Sequence, residues 1–173
     1  MKIAITGAHR VGKSSLAEKL MESLSDYDFQ PEPYFELEER GYVFSEIPTA
    51  DDYLEQFEYS LIQISTSVEN TIFDRCPIDL LAYIEAVKAF ENMQTNYQKV
   101  QNVITEIDLL VFIPIESPDL ISCPQSELPE LRDQVNEILS EWVWNFPVDT
   151  IEVTGTLLAR RDQVLKKLNQ IKI

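Results

Sequence analysis

The sequence predicts an α/β fold in which a five-stranded parallel sheet lies between layers of helices. Three observations predict it. Apolar runs of strand length alternate with segments of helical period along the chain. Leu109–Ile113 is continuously apolar, the pattern of a parallel strand covered on both faces. The first apolar run leads into Gly7-Ala8-His9-Arg10-Val11-Gly12-Lys13-Ser14, a complete G-x-x-x-x-G-K-[ST] loop, and helical spacing follows it.

Each element has its own warrant. Lys2–Thr6 is strand one, ending on the loop. Helix one is predicted over Lys13–Leu24 from Leu16, Ala17, Leu20, Met21 and Leu24, with Ser25 and Asp26 closing it. A short second strand spans about Asp28–Glu32. A polar, Pro-containing loop with Gly41 is expected next. Asp51 and Asp52 then open a helix whose buried face reads Leu54, Phe57, Leu61, Ile64 and Val68. Strand three is Thr71–Asp74. Pro77 suits a first helical position, and a helix is predicted over Ile78–Ala89. A further helix covers about Asn96–Glu106, and Leu109–Ile113 is strand four. Pro114–Pro129 is polar and Pro-rich without period, so it reads as a mobile loop. Leu131–Trp144 is helical, and Thr150–Val153 is strand five. Leu157–Leu168 closes the chain, with Arg160, Arg161, Lys166 and Lys167 weighted toward its C-terminal half, as the helix dipole prefers.

The loop carries the first chemistry. Glycines let backbone wrap closely around phosphate oxygens, and amides at a helix start point into an anion. Gly7, Ala8, His9, Arg10, Val11, Gly12, Lys13, Ser14 and Ser15 are therefore the candidate phosphate-binding residues. Lys13 is placed to reach β- and γ-phosphates, and the Ser14 hydroxyl to ligate Mg²⁺. His9, the sole histidine, is expected to point outward and receives no catalytic role. The fold class is thus a three-layer α/β/α P-loop NTPase, read as a single domain over residues 1–173. Ligands of such sheets sit at the carboxyl ends of the strands. Strand two ends there in Glu32-Pro33 and strand three in Asp74-Arg75.

Composition narrows the partners. The 173 residues carry a formal net charge of -16. Such a surface repels nucleic acid and anionic membranes, and makes any cluster of cations informative. Lys13, Arg10, Arg75 and Arg132 are the candidates. No apolar run is long enough to span a membrane and no leader pattern opens the chain, so a cytoplasmic protein is expected. Cys76 and Cys123 lack metal-type spacing and are expected as thiols. The apolar positions Leu61 and Ile84 fit either the core or a homodimer face.

The phosphate loop, Glu32-Pro33 and Asp74-Arg75, in this order, resemble the P-loop nucleoside kinases. The pattern is similar to the deoxynucleoside and thymidine kinase group. It is similar also to small bacterial predicted ATPases related to nicotinamide riboside kinases. The resemblance covers nearly the whole chain. It implies ATP- and Mg²⁺-dependent phosphoryl transfer to a small nucleoside-like or nucleotide-like acceptor. Glu32 would act as base near the attacking hydroxyl. Asp74 would help position Mg²⁺, and Arg75 would stabilise the transferred phosphoryl. Residues 114–130 would form a lid-like loop, with Arg132 just beyond it. Arg132 fits either a phosphate-covering arginine or a solvated helix residue. Thr154-Gly155-Thr156 would border adenine, or simply form a strand-to-helix turn capped by Thr156. The family's base-reading Phe-Gln pair aligns with Phe57-Glu58, which puts an acid at the reading position. Gln63 is a substitute candidate, and Tyr34, Phe35 and Tyr53 are candidates to stack on a ring. Glu32 also fits a surface acid before a Pro turn, and Asp74-Arg75 a structural ion pair.

An ATPase or a nucleotide sensor with no acceptor is the competing reading. A GTPase is disfavoured, because no Asp-x-x-Gly precedes any of the four glycines and no Asn-Lys-x-Asp occurs. An AAA-type motor would need a C-terminal helical domain for which this length leaves no room.

Overall fold

The computed structural model describes residues 1–87 and 92–171. The strands are β1 (Lys2–Thr6), β2 (Asp28–Gln30), β3 (Thr71–Asp74), β4 (Leu109–Phe112) and β5 (Thr150–Glu152). They form one parallel sheet in the order β2-β3-β1-β4-β5. The helices are α1 (Lys13–Met21), α2 (Pro33–Glu39), α3 (Ala50–Thr66), α4 (Pro77–Ala86), α5 (Met93–Val103), α6 (Pro129–Trp142) and α7 (Leu157–Ile171). From β1 the chain steps outward to β2, and from β3 it steps past β1 to β4. Right-handed crossovers in opposite directions lie on opposite faces. Accordingly α1 packs with α7, while α3, α4, α5 and α6 pack together. The step reverses beside β1, and there the crevice opens at the carboxyl ends.

The centre of the sheet is dry. Ile3, Ala4 and Ile5 of β1, Ile72 of β3, and Leu109, Leu110 and Val111 of β4 have no solvent exposure. Pro77 through Ile84 of α4 are all buried, because α3 and α6 cover its flanks. Leu61 and Ile84 both lie in this core, so neither offers a face to a second copy.

The elements depart from expectation at identifiable places. Residues 33–39 form α2 rather than loop. Pro33 occupies its first position with φ preset, and Gly41 ends it at φ 90°. Seven residues show too little period to be seen. α3 stops at Thr66, leaving Val68 exposed rather than on the buried face. Its start is a capping box in which Thr49 Oγ1 accepts from the Asp52 amide and the Asp52 carboxylate accepts from the Thr49 amide. α1 ends at Met21, and Leu24 falls in the turn beyond. The predicted helix over Asn96–Glu106 begins earlier, at Met93, and its last turn, Ile104–Glu106, tightens to 3-10 geometry. Residues 88 and 89 of the helix predicted over Ile78–Ala89 lie outside the described residues. The 114–129 loop holds one short 3-10 turn, Gln125–Glu127. Among the described residues no helix is long and apolar enough to cross a membrane. Both cysteines are free.

Candidate functional site

The crevice is built around the turn from β1 into α1. A Cβ on Gly7 would stand 2.6 Å from the Ile113 carbonyl oxygen and 2.9 Å from Val11 Cγ2, so only glycine fits. The Gly7 amide donates to Asp79 Oδ1 at 2.7 Å, and Asp79 Oδ2 accepts from the Cys76 amide at 2.9 Å. One buried carboxylate in the first turn of α4 thus joins the loop to the end of β3. Arg10 (φ 55°) and Gly12 (φ 90°) then turn the chain through left-handed conformations. Lys13 Nζ donates to the Ala8 carbonyl at 2.9 Å across the loop. Burial, then the Arg75 charge, pull the Lys13 ammonium down from its ordinary value. Among the described residues this buried cation has one protein acceptor.

Glu32 and Arg75 meet across the loop, with Arg75 Nε donating to Glu32 Oε2 at 3.1 Å. The Arg75 guanidinium also lies 5.2 Å over the Tyr83 ring. Arg75 has φ 87°, outside the usual range for a side-chain-bearing residue. Its amide bonds to the Ile5 carbonyl at 3.0 Å, so the sheet holds it there. Burial alone would raise Glu32, but the Arg75 and Lys13 charges outweigh it and hold the carboxyl below the usual range. Asp74 goes the other way. Burial and the neighbouring Glu32 charge raise it, against Lys13, a bond from Ser14, and Arg75. Among the described residues Asp74 Oδ1 is buried without a partner.

The Asp74 and Ser14 oxygens suit a hard cation. Among the described residues no group of three or more His, Cys, Asp or Glu side chains is assembled for a metal. A cation here would therefore take most of its ligands from phosphate and water, as Mg²⁺ commonly does.

His9 points inward, contrary to expectation. Nδ1 lies 2.7 Å from Tyr83 Oη, and Nε2 lies 2.6 Å from the Glu127 carbonyl. Burial lowers its pKa to about 4; the Glu127 bond opposes this, and the Arg75, Lys13 and Arg132 charges add to it. The sign follows from linkage. Between about pH 6.5, the free imidazole value, and about pH 4, the unfolded chain binds a proton that the folded chain refuses. Stability should fall as pH drops through that window, and level off for this group below it. In urea melts the difference between wild type and His9→Gln should shrink over the same window. A difference independent of pH would contradict it.

Three clefts run in series along the crevice. One of about 220 Å³ is lined by Gly12, Ser15, Leu120, Gly155, Thr156 and Leu157 among others. The next, about 300 Å³, is lined by the loop from His9 to Ser15 with Glu32 and Arg75. The largest, about 540 Å³, is lined by Tyr34, Tyr53, Gln56, Tyr83, Glu46 and Glu127, and again by His9, Glu32 and Arg75. Thr154 lies outside these linings; its amide and carbonyl bond to Gln163. Phe35 is exposed, edge-on to Tyr34, and does not line the cleft. Phe57 is core, and Glu58 faces outward to Lys99. The acid expected at the reading position is therefore outside the cleft, and Gln56 stands inside it. Gln63 is buried elsewhere, donating to the Pro31 carbonyl at 3.2 Å.

A family model described as an AAA domain matches residues 2–161. The chain belongs to the AAA domain family. No curated protein matches it in sequence. Among solved structures it is similar to deoxyadenosine kinase from M. mycoides with products dCMP and dCDP. That match has TM-score 0.69 and 19% identity, covering 99% of this chain and 100% of that one. It is similar to a NadR protein in complex with NR, with TM-score 0.73 and 18% identity, covering 98% of this chain and 50% of that one. Thymidylate kinase from Candida albicans gives TM-score 0.67 and 18% identity, covering 99% and 92%. The fold is that of the P-loop kinases.

In this AAA domain, sequence reasoning missed three residues around the loop. Asp79 stands in the first turn of α4, where an acid is expected for the helix dipole alone, so its type and position carry no signal of a contact with the loop. Arg160 was grouped with dipole cations late in a helix, but it lies in the first turn of α7 and is buried. Its Nη1 donates to the Val11 carbonyl at 2.6 Å and its Nη2 to Glu116 Oε1 at 2.8 Å. A cation in a first helical turn runs against the dipole, and that was the available signal. Tyr83 had none, since an aromatic in an apolar helix reads as core. Arg132 is 3% exposed, neither solvated nor facing the phosphate cleft. It donates to the His9 carbonyl at 2.9 Å, the Arg10 carbonyl at 3.1 Å, and both oxygens of Asp119. Arg10 pairs with Glu127.

Proposed function

We propose that this protein transfers a phosphoryl group from ATP, with Mg²⁺, to a small nucleoside-like or nucleotide-like acceptor. The observation that carries the reading is that Glu32 and Arg75 line both the phosphate cleft and the largest cleft. A transferred group must pass between donor and acceptor, and this pair stands at the junction.

Residues 7–15 take the polyphosphate through amides and the Lys13 ammonium. Gly155 and Thr156, with Leu120 and Leu157, enclose the base in the 220 Å³ cleft; Thr154 supports that turn. The acceptor ring sits beside Tyr34 and Tyr53, with Gln56 offering a polar edge. Tyr53 already stacks on Tyr83, their centroids 4.9 Å apart, so that wall is rigid. Glu32 orients the acceptor hydroxyl and takes its proton. Its lowered basicity is tolerable, because a loose transition state surrenders that proton late. Arg75 stabilises charge on the equatorial oxygens. When bound, Mg²⁺ would offset charge on the β- and γ-oxygens. Ser14 and Asp74 would hold it, directly or through water.

Asp74→Asn should raise the Mg²⁺ concentration for half-maximal turnover about tenfold, with no loss of stability in the free protein. The stability half has a definite sign. A carboxyl whose folded pKa is raised costs stability above that range, so removing its charge relieves the fold. An unchanged metal titration would contradict the assignment.

ATP consumption by the purified chain, with nucleosides supplied one at a time, tests the whole reading. Consumption only with an acceptor supports it. An ATPase or nucleotide sensor is the second reading, favoured by one observation. Arg10, Arg132 and Arg160 are each engaged by a carboxylate of residues 114–128. Equal ATP loss without acceptor would favour the hydrolase, and tight binding without turnover the sensor.

A further inference from the structure

We propose that Arg132 and Arg160 are positioning residues that set the phosphate loop's shape by holding three consecutive carbonyls, those of His9, Arg10 and Val11. The inference rests on the nucleotide reading for one of its two measurements only.

The peptide group makes the argument. A carbonyl and the following amide share one plane and point in opposite directions. Fixing the carbonyls of residues 9, 10 and 11 therefore fixes the amides of Arg10, Val11 and Gly12. Among the described residues, those three amides donate to no backbone or side-chain acceptor. Neither Arg132 nor Arg160 lines the 300 Å³ phosphate cleft. The carbonyls are thus tied behind the loop, and the unpaired amides are left for an anion in front.

Both arginines reach the loop by the same device. Each is the fourth residue of its helix, α6 from Pro129 and α7 from Leu157. A helical side chain leans toward the N-terminus of its helix, so each guanidinium projects over the helix start toward the loop. The dipole opposes a cation there, and a lid-loop carboxylate offsets it in each case. Asp119 takes Arg132 at 2.7 Å and Glu116 takes Arg160 at 2.8 Å. Glu116 Oε1 also accepts the Gly155 amide at 2.7 Å, tying the base-side turn into the same frame. An Arg132 that swung to a phosphate would abandon two loop carbonyls and Asp119 together.

Backbone ¹⁵N order parameters of the ligand-free full chain test this without any nucleotide. In Arg132→Gln, and equally in Arg132→Lys, the values for residues 9–12 should drop from about 0.85, the rigid-backbone level, to below about 0.6. An ammonium cannot span two carbonyls and a carboxylate as the planar fork does. Asp119 is at the surface, so Asp119→Asn should fold normally. It should give a smaller drop in the same residues, with β3 and α4 unchanged. No drop in Asp119→Asn and Arg132→Lys, or a drop spread evenly over β3 and α4, would overturn the proposal.

Binding of Mg²⁺ with a non-hydrolysable ATP analogue gives the second readout. A loop-setting role predicts weaker binding in Asp119→Asn, whereas a phosphate-contacting Arg132, freed of its carboxylate, predicts tighter binding. Tighter binding would overturn the proposal. If wild type binds no analogue while the loop order parameters respond, the nucleotide reading falls and the loop-setting role stands.

Discussion

Lys13→Ala should weaken binding of an ATP analogue by at least about 100-fold and abolish turnover, without lowering the melting temperature of the free protein. The two halves come from one fact. Lys13 is 4% exposed, with the Ala8 carbonyl as its hydrogen-bond acceptor and Arg75 as a repelling neighbour. A buried ammonium so placed gains most of its compensation from an anion. Losing one such contact in a water-poor site costs about 3 kcal/mol of binding, or roughly 100-fold. Before binding, the same charge is a burden, since its lowered pKa means the fold disfavours its charged form. Lys13→Met, which keeps the stem, should melt at or above the wild-type temperature. Calorimetry with titration of the analogue reads both. Wild-type affinity in Lys13→Ala would remove the phosphate-site assignment. Lost binding with a clearly lower melting temperature in both variants would assign Lys13 to the fold.

Glu32→Gln should cut turnover by about 10²- to 10⁴-fold, the usual weight of a positioned proton acceptor. ATP affinity should change by less than about threefold, because the role is confined to the transition state. The amide can still accept from Arg75 Nε, so the junction keeps its shape. The wild-type pH–rate profile carries a second check. With Glu32 held below the usual carboxylate range by Arg75 and Lys13 despite its burial, the acid limb should fall below about pH 4.5. Activity should be lost only as pH drops through that limb. Single-turnover rates set beside analogue binding separate the two quantities. Equal loss of affinity and rate would remove the base role and leave Glu32 as a partner of Arg75.

Much of this architecture was legible from patterns that depend on neighbours in the chain. Residues 109–112 are a strand because an unbroken apolar run can be satisfied only between two covering layers. The phosphate loop was legible because its glycines, lysine and serine lie within eight positions and need no distant partner to be recognised. Boundaries were less so. α2 escaped because a Pro start and a Gly stop enclose too short a span for periodicity. Glu58 was placed in the acceptor cleft because a motif alignment carries no helical phase. Two positions along α3 are a rotation of about 200°, enough to exchange Glu58 for Gln56.

By itself, the sequence determined the parallel sheet, the loop from Gly7 to Ser15, and the residues Glu32, Asp74 and Arg75 at the strand ends. These follow from local spacing, which the chain carries wherever it folds. Tertiary structure alone decided that His9 turns inward to Tyr83, and that Asp79 holds the Gly7 amide. It alone decided that Arg132 and Arg160 grip the loop from positions more than a hundred residues downstream. The reason is that a buried carbonyl, carboxylate or guanidinium must find a partner wherever packing brings one. Which partner arrives depends on how helices at opposite ends of the chain settle on the sheet.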